Sequence, residues 1–277
     1  MTLKLISHVN ADSDIIEAWV KHYLRIGVDE FRLIVHGPPE ENQRLLQIKD
    51  LYPIVIEDTY LGPFDSDQKK QRLDSLLSRN PNQWIVLVDS DEFVEFPYED
   101  VPTTITWLES VRANVMHAPM LQRLKADGTL ASPETIDEPF AFFPLCSTDL
   151  YENMGSNACI RKCPLFYCAS ETRLLEEGNH SPPQGAEVRT SAALGVTHHF
   201  KFRRTVSERL HRRINSDYTF RHESIEFQDY LGRHAHRLPL EGAFTYSRQE
   251  LFRRGLLRRV SIRNRIKSVS RALGLWQ

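Results

Sequence analysis

Trp84-Ile85-Val86-Leu87-Val88-Asp89-Ser90-Asp91-Glu92-Phe93 is the stretch that decides the fold. Five consecutive apolar residues read as a strand buried on both faces, as in a parallel sheet covered by helices. The run stops at three carboxylates. In open α/β sheets, ligands sit outside the carboxyl ends of the strands, so these acids fall where a ligand is expected.

Upstream the chain alternates strand and helix. Lys4 to Val9 reads as a strand, and Asp12 or Ser13 is expected to cap a helix carrying Asp14 and Glu17 near its positive dipole end. Ile15, Trp19 and Tyr23, with Ile16, Val20 and Leu24, form two i,i+4 rows on one face, and Gly27 supplies the stop. A strand Phe31 to Val35, a helix around Asn42 to Leu51, a strand Ile54 to Ile56 and a helix from about Asp67 to Ser78 lead to Trp84 as about the fourth strand. The expected class is α/β, with a mixed, mostly parallel sheet flanked by helices. After residue 113 the rhythm changes. Val115 to Leu121, an Asp127-Gly128 turn, and short strands near Ala158 to Arg161, Leu165 to Tyr167 and Leu194 to Phe200 give a mixed second half. From Ser207 onward the pattern is helical and basic.

Composition narrows the classes. A chain of 277 residues, 41 % hydrophobic and 26 % charged, can bury a large core, which excludes disorder. The longest nearly apolar run, Phe140 to Cys146, is far short of the roughly 20 residues that span a bilayer. Met1 to His8 contains no apolar stretch of signal-peptide length, so the cytoplasm is the expected address. Cys146, Cys159, Cys163 and Cys168 are spaced by 13, 4 and 5, which matches no common zinc pattern; buried, reduced thiols are expected. The net charge of −2 hides a split: residues 248 to 277 carry +8, leaving −10 in the first 247.

Alternate residues leaving a strand point the same way, so Asp89 and Asp91 can converge on one hard cation, Mg²⁺ or Mn²⁺. A metal held by two carboxylates keeps positions open for substrate phosphates. A lone D-x-D is more often a solvated loop or a helix cap, but its place at the end of the most strand-like run favours the metal reading.

These residues resemble the family 2 type glycosyltransferases, in the branch marked by an "EW…H…lGvd.f" helix and a "DWi…DxDEF" strand end. The likeness rests on Asp12 to Gly27 with Trp19, on Val28-Asp29-Glu30-Phe31, and on Trp84 to Phe93. It covers residues 3 to about 96, thinning to Thr197-His198-His199-Phe200, which is similar to a late "HY" segment. The family's Asn-Glu after the first strand stands here as Asn10-Ala11-Asp12, and its Tyr-His as His22-Tyr23. The resemblance implies a GT-A-like domain over residues 1–205, with a nucleotide and metal half (1–96) and an acceptor half (97–205), followed by a basic helical region (206–277). It makes Asp89 and Asp91 the metal motif. His199 is the expected third ligand, with packing at a domain seam as the competing reading; His198 would face the other way, and His180 is the spare.

Asn10, Gln68, Arg72 and Ser90 are the candidates for cofactor or nucleotide contact, Gln68 and Arg72 sharing a helix face that could equally be only solvated. The general base that an inverting transfer needs is sought among Asp149, Glu152 and Glu171, with Glu171 favoured. The implied reaction moves a sugar from a nucleotide diphosphate donor to a saccharide or lipid-linked glycan. A haloacid-type phosphohydrolase and a non-catalytic scaffold are the alternatives. Ile262, Ile266, Val269, Leu273 and Trp276, spaced by 4, 3, 4 and 3 among arginines, form a basic amphipathic helix that could rest on an anionic membrane or dock on the body. Nucleic acid is not expected, since no stacking aromatics are interleaved.

Overall fold

A computed structural model describes residues 2–155, 161–176, 178–185, 187–190, 195–215 and 221–257. The first half holds β1 (Lys4–Asn10), α1 (Ile16–Arg25), β2 (Glu30–His36), α2 (Gln43–Ile48), β3 (Ile54–Tyr60), α3 (Ser66–Ser78), β4 (Gln83–Leu87), β5 (Glu92–Glu95) and α4 (Val101–Ser110). The second holds β6 (Val115–Leu124), α5 (Pro139–Phe142), β7 (Leu145–Ser147), α6 (Leu150–Asn153), β8 (Arg161–Cys168), β9 (Val196–His199), α7 (Val206–Ile214), α8 (Arg221–Arg233), β10 (Phe244–Thr245) and α9 (Arg248–Arg253).

The strands form one mixed sheet in the order β10-β7-β6-β8-β4-β1-β2-β3, with β9 pairing both β5 and β6. Pairing is parallel from β3 through β2 and β1 to β4, where helical crossovers return the chain. Beyond β4 it is antiparallel through β8, β6, β7 and β10. The expected mostly parallel sheet therefore holds for the first half only. The second half adds one further parallel pair, β9 beside β6.

Alternation along each strand splits the core into two layers. Leu5, Phe31, Leu33 and Val86 meet α1 through Trp19, Val20 and Tyr23, whereas Ile6, Ile34, Ile85 and Leu87 meet α3 through Leu73, Leu76 and Leu77. A third cluster packs Tyr151, Phe202, Val206, Leu210, Phe227 and Leu231 on Met120 and Leu124, so α6, α7 and α8 lie against β6. Gly27 ends α1 at φ 94°, and a Cβ there would lie 2.9 Å from Pro102 Cδ. Only glycine satisfies both the backbone angle and the space.

The expected cap of α1 does not form. The backbone carbonyl of Asp12 accepts the Ile15 and Ile16 amides, but its carboxylate turns away to arginines, and Ser13 Oγ donates to the Glu41 carbonyl. Among the described residues no helix is long and apolar enough to cross a membrane. Cys146, Cys163 and Cys168 are buried free thiols. The amphipathic segment expected over 262–276 lies outside the described residues, as does Cys159.

Candidate active site

The order β3-β2-β1-β4 places the reversal of strand order between β1 and β4. Their following loops leave in opposite directions and open a crevice at the carboxyl edge. A cleft of about 980 Å³ lies there, lined among others by Asn10, Asp12, Asp89, Ser90, Asp91 and Glu92. One wall adds His8, His36 and Phe64 from the β1–β3 side; another adds Lys201, Arg209 and Arg213 from the β9–α7 side. α7, at the start of the basic helical region expected over residues 206–277, supplies part of this wall.

The segment carrying the acids is clamped from below by α1. Trp19 Nε1 and the Tyr23 hydroxyl donate to the Glu92 carbonyl at 3.0 and 2.9 Å, and the Val94 amide donates to the Tyr23 hydroxyl at 3.1 Å. His22 Nε2 lies 3.0 Å from the Val94 carbonyl. The aromatic positions of the first helix therefore fix the backbone that presents Asp89 to Glu92.

The two aspartates take different partners. Asp89 Oδ1 pairs with Lys69 Nζ at 2.8 Å and Oδ2 lies 3.6 Å from Lys162 Nζ. Burial works against its ionisation, but the two ammoniums outweigh burial and hold the carboxyl below the usual range. Asp91 Oδ1 is 3.5 Å from His199 Nε2 and Oδ2 is 3.7 Å from Arg209 Nη1. Burial again opposes ionisation, and His199, then the arginines, hold Asp91 well below the carboxylate range. Glu92 pairs with Lys162 at 2.7 Å, yet burial dominates and raises its carboxyl.

Donor chemistry tests where a metal fits. Asp91 and His199 offer an oxygen and an imidazole nitrogen close enough to share one divalent ion, a set suited to Mn²⁺. Asp89 differs from expectation because both its oxygens already face lysines. A divalent ion beside those ammoniums would be repelled, whereas Asp91 has one cation, Arg209, 3.7 Å from Oδ2, and turns Oδ1 to the His199 imidazole, so ligation of such an ion would fall to Asp91 and His199. No group of three or more His, Cys, Asp or Glu among the described residues is arranged to hold a metal by itself. Remaining ligands would have to come from substrate or water. His198, the neighbour of His199, faces the other way and lies 3.7 Å from Glu95. His180 lines the cleft, hydrogen-bonds the Arg161 carbonyl at 2.8 Å, and is held to about 3 by burial and Lys162.

The other expected residues divide. Asn10 lies in the cleft with Nδ2 3.0 Å from His36 Nδ1, and Ser90 Oγ donates to Asp12 Oδ2 at 2.5 Å. Gln68 and Arg72 lie outside it, in a shallow hollow with Glu57, Asp58 and Arg79. Arg72 pairs with Asp58 and stacks 4.1 Å over Tyr60. About 100° per residue turns these two away from the inward row Lys69–Leu73. Asp149, Glu152 and Glu171 are exposed and none lines the cleft. Asp149 accepts from Thr148, and Glu171 from Ser170. Among cleft carboxylates, Glu176 has a buried Oε1 with no hydrogen-bond partner.

Sequence reasoning missed Lys69, Lys162, Arg203 and Arg209. Lys69 carries a legible signal, standing one turn before Leu73 on the apolar face; Lys162, beside Arg161 at the start of β8, carries none.

No family model matches the chain, and no curated protein matches it. Solved structures similar to it include residues 1–349 of Staphylococcus aureus TarS in complex with UDP-GlcNAc, at 11 % identity, covering 84 % of this chain and 72 % of that one, with a TM-score of 0.40. The same protein in complex with UDP gives 11 % identity, 91 % and 74 % coverage, and a TM-score of 0.37. 4-Diphosphocytidyl-2C-methyl-D-erythritol synthase from Anaerococcus prevotii gives 12 %, 83 %, 96 % and 0.32. Likenesses of this depth carry no argument about function, which rests on the chain's own side chains.

Proposed function

We propose that this chain is a glycosyltransferase of GT-A type that takes a sugar from a nucleotide diphosphate donor. The observation that carries the reading is the pairing of Asp91 with His199, 3.5 Å apart, at the reversal point of the sheet and on the floor of a cleft large enough for such a donor. Asp91 and His199 would hold Mn²⁺ or Mg²⁺, which would neutralise charge on the diphosphate. Lys69 and Lys162 keep Asp89 ionised and add positive potential at the same edge.

The nucleoside end fits the wall formed by His8, Asn10, His36 and Phe64. There the His36 ring stacks on Tyr60 at 4.4 Å between centroids, and burial keeps His8 and His36 neutral near pH 7. For the acceptor, Glu176 lines the cleft with a buried oxygen that has no hydrogen-bond partner, and is the base this geometry favours over Glu171, Asp149 and Glu152. Inversion, a saccharide or lipid-linked glycan acceptor, and contact of residues 248–277 with an anionic membrane belong to the same reading.

Thermal melting with UDP-, GDP- and CDP-sugars, with and without Mn²⁺, tests it. Stabilisation is expected only with metal and nucleotide together, and Asp91→Ala should abolish the response. A response to phosphate or aspartyl-phosphate mimics alone would favour a phosphohydrolase, and no response to any ligand would favour a scaffold.

A further inference from the structure

The β9–α7 connection presents one cation that the acid–base network around the aspartates does not use. Lys201 lines the cleft, and its Nζ lies 3.4 Å from the Tyr151 hydroxyl. Three aromatic rings surround it, with centroids at 4.9 Å for Tyr151, 4.9 Å for Phe227 and 5.7 Å for Phe202. Ring faces stabilise an ammonium without consuming its N–H groups. Lysine has three donors, so two are left over after Tyr151.

The contrast with the other cleft cations is sharp. Lys69, Lys162, Arg209 and Arg212 each have a carboxylate oxygen within 3.1 Å. Lys201 has none within 4 Å among the described residues. A half-buried ammonium that lines the cleft, is ringed by aromatic faces and keeps spare donors is completed by an anion from outside.

We propose that Lys201 is an oxyanion receptor in the wall formed by α6, α7 and α8, taking a phosphate oxygen of the bound ligand. The choice of phosphate rests on the nucleotide-sugar reading, since diphosphates sit at this edge of such sheets. Two sources share that chemistry: the donor's diphosphate, and a phosphoryl group on the acceptor. A charge-assisted bond from a lysine ammonium is strong enough to discriminate charged from uncharged forms of either.

Calorimetric titration of the full chain and of Lys201→Met decides it. UDP, GDP and CDP are compared with their nucleosides, and glycerol 3-phosphate with glycerol on protein saturated with whichever nucleotide binds. If the donor supplies the anion, Lys201→Met weakens the diphosphate roughly ten- to a hundredfold and leaves the nucleoside unchanged. If the acceptor supplies it, the same variant loses glycerol 3-phosphate and keeps the diphosphate. Lys201→Arg should retain binding in either case. Methionine preserves the packed stem and removes a half-buried charge that has no carboxylate partner among the described residues, so an unchanged or higher melting temperature is expected. Unaltered affinity of Lys201→Met for every phosphate overturns the assignment. If no nucleotide binds the parent, the transferase reading fails separately. Pyrophosphate titrated into both proteins then rules on Lys201, and equal binding, or none to the parent, overturns it.

Discussion

Arg203 Nη2 lies 2.5 Å from Asp12 Oδ1, joining residues 191 positions apart in the chain. The guanidinium has no exposed surface; its Nε reaches Asp14 at 3.0 Å and its Nη1 the Phe200 carbonyl. Arg209 adds a second contact to Asp12 at 3.1 Å, and Ser90 a third. The network ties the loop after β1 to the loop after β4 and to the start of α7, so it fixes the crevice itself. Burial opposes charge on Arg203, but Asp14 and Asp12 outweigh it.

Removing that guanidinium leaves buried Asp14 without its cation and leaves Asp12 to Arg209 and Ser90 alone. Arg203→Ala is expected to lower unfolding free energy by roughly 3–5 kcal/mol in urea titrations, the range for breaking one partner of a buried pair. Arg203→Lys should fall between, because one ammonium cannot reach three acceptors in fixed directions. A loss under about 1 kcal/mol for the alanine variant would show that the network is not a structural tie.

Tyr23 both donates to the Glu92 carbonyl and accepts from the Val94 amide, deep under the acidic segment. Tyr23→Phe keeps the ring and leaves a buried amide unsatisfied, at a cost of roughly 1–3 kcal/mol. Its second effect should be on the site: a looser Asp91 weakens the metal-dependent melting shift while the variant remains folded. A destabilised variant with the full shift would confine Tyr23 to packing.

How much of this was legible follows from where the partners lie. Strand Trp84 to Leu87 and the helices before it declare themselves because the periodicity of burial is local, and α3 runs over Ser66–Ser78 where the pattern places it. The position of the acids at a strand end is equally local. Their partners are not: Lys162 and Arg203 come from β8 and the β9–α7 connection, and only antiparallel insertion of β8 beside β4 brings Lys162 to Asp89. No one-dimensional spacing encodes that. Asp12 reads as a helix cap for the same reason, since the arginines that claim its carboxylate lie some two hundred residues downstream.

Acid sensitivity follows from two buried imidazoles. Burial pulls His22 and His198 each to about 4, whereas an unfolded histidine titrates near 6.5. Between those values the unfolded chain binds more protons, so stability is full above about pH 6.5 and falls as pH drops towards about 4. Each histidine contributes a slope of up to about 1.4 kcal/mol per pH unit. Glu95, held to about 2 against its burial by His198 3.7 Å away and by hydrogen bonds from Tyr246 and Arg248, adds a further loss below its unfolded value. Urea unfolding at a series of pH values should give His198→Gln a slope smaller by close to one proton than the parent. Identical slopes would mean that His198 is already charged in the folded protein.

In sequence the two aspartates of Asp89-Ser90-Asp91 are equivalent; in the fold they are not. Asp89 answers Lys69, whose side chain is only 8 % exposed and has no other carboxylate within 4 Å among the described residues, while Asp91 answers His199. Asp89→Asn therefore strands a buried ammonium. Because Asp89 keeps 30 % of its side chain open to the cleft, the cost is discounted to roughly 1–3 kcal/mol, below that of a fully buried pair. It should leave the Mn²⁺ dependence of nucleotide-induced melting in place. Asp91→Asn should do the opposite, abolishing the Mn²⁺-dependent shift because the amide is a poor partner for a hard cation. Melting curves of both variants, with and without nucleotide and Mn²⁺, separate the roles. If Asp89→Asn loses the metal-dependent shift and Asp91→Asn retains it, the ion is held on the lysine side, and the assignment of Asp91 with His199 is wrong.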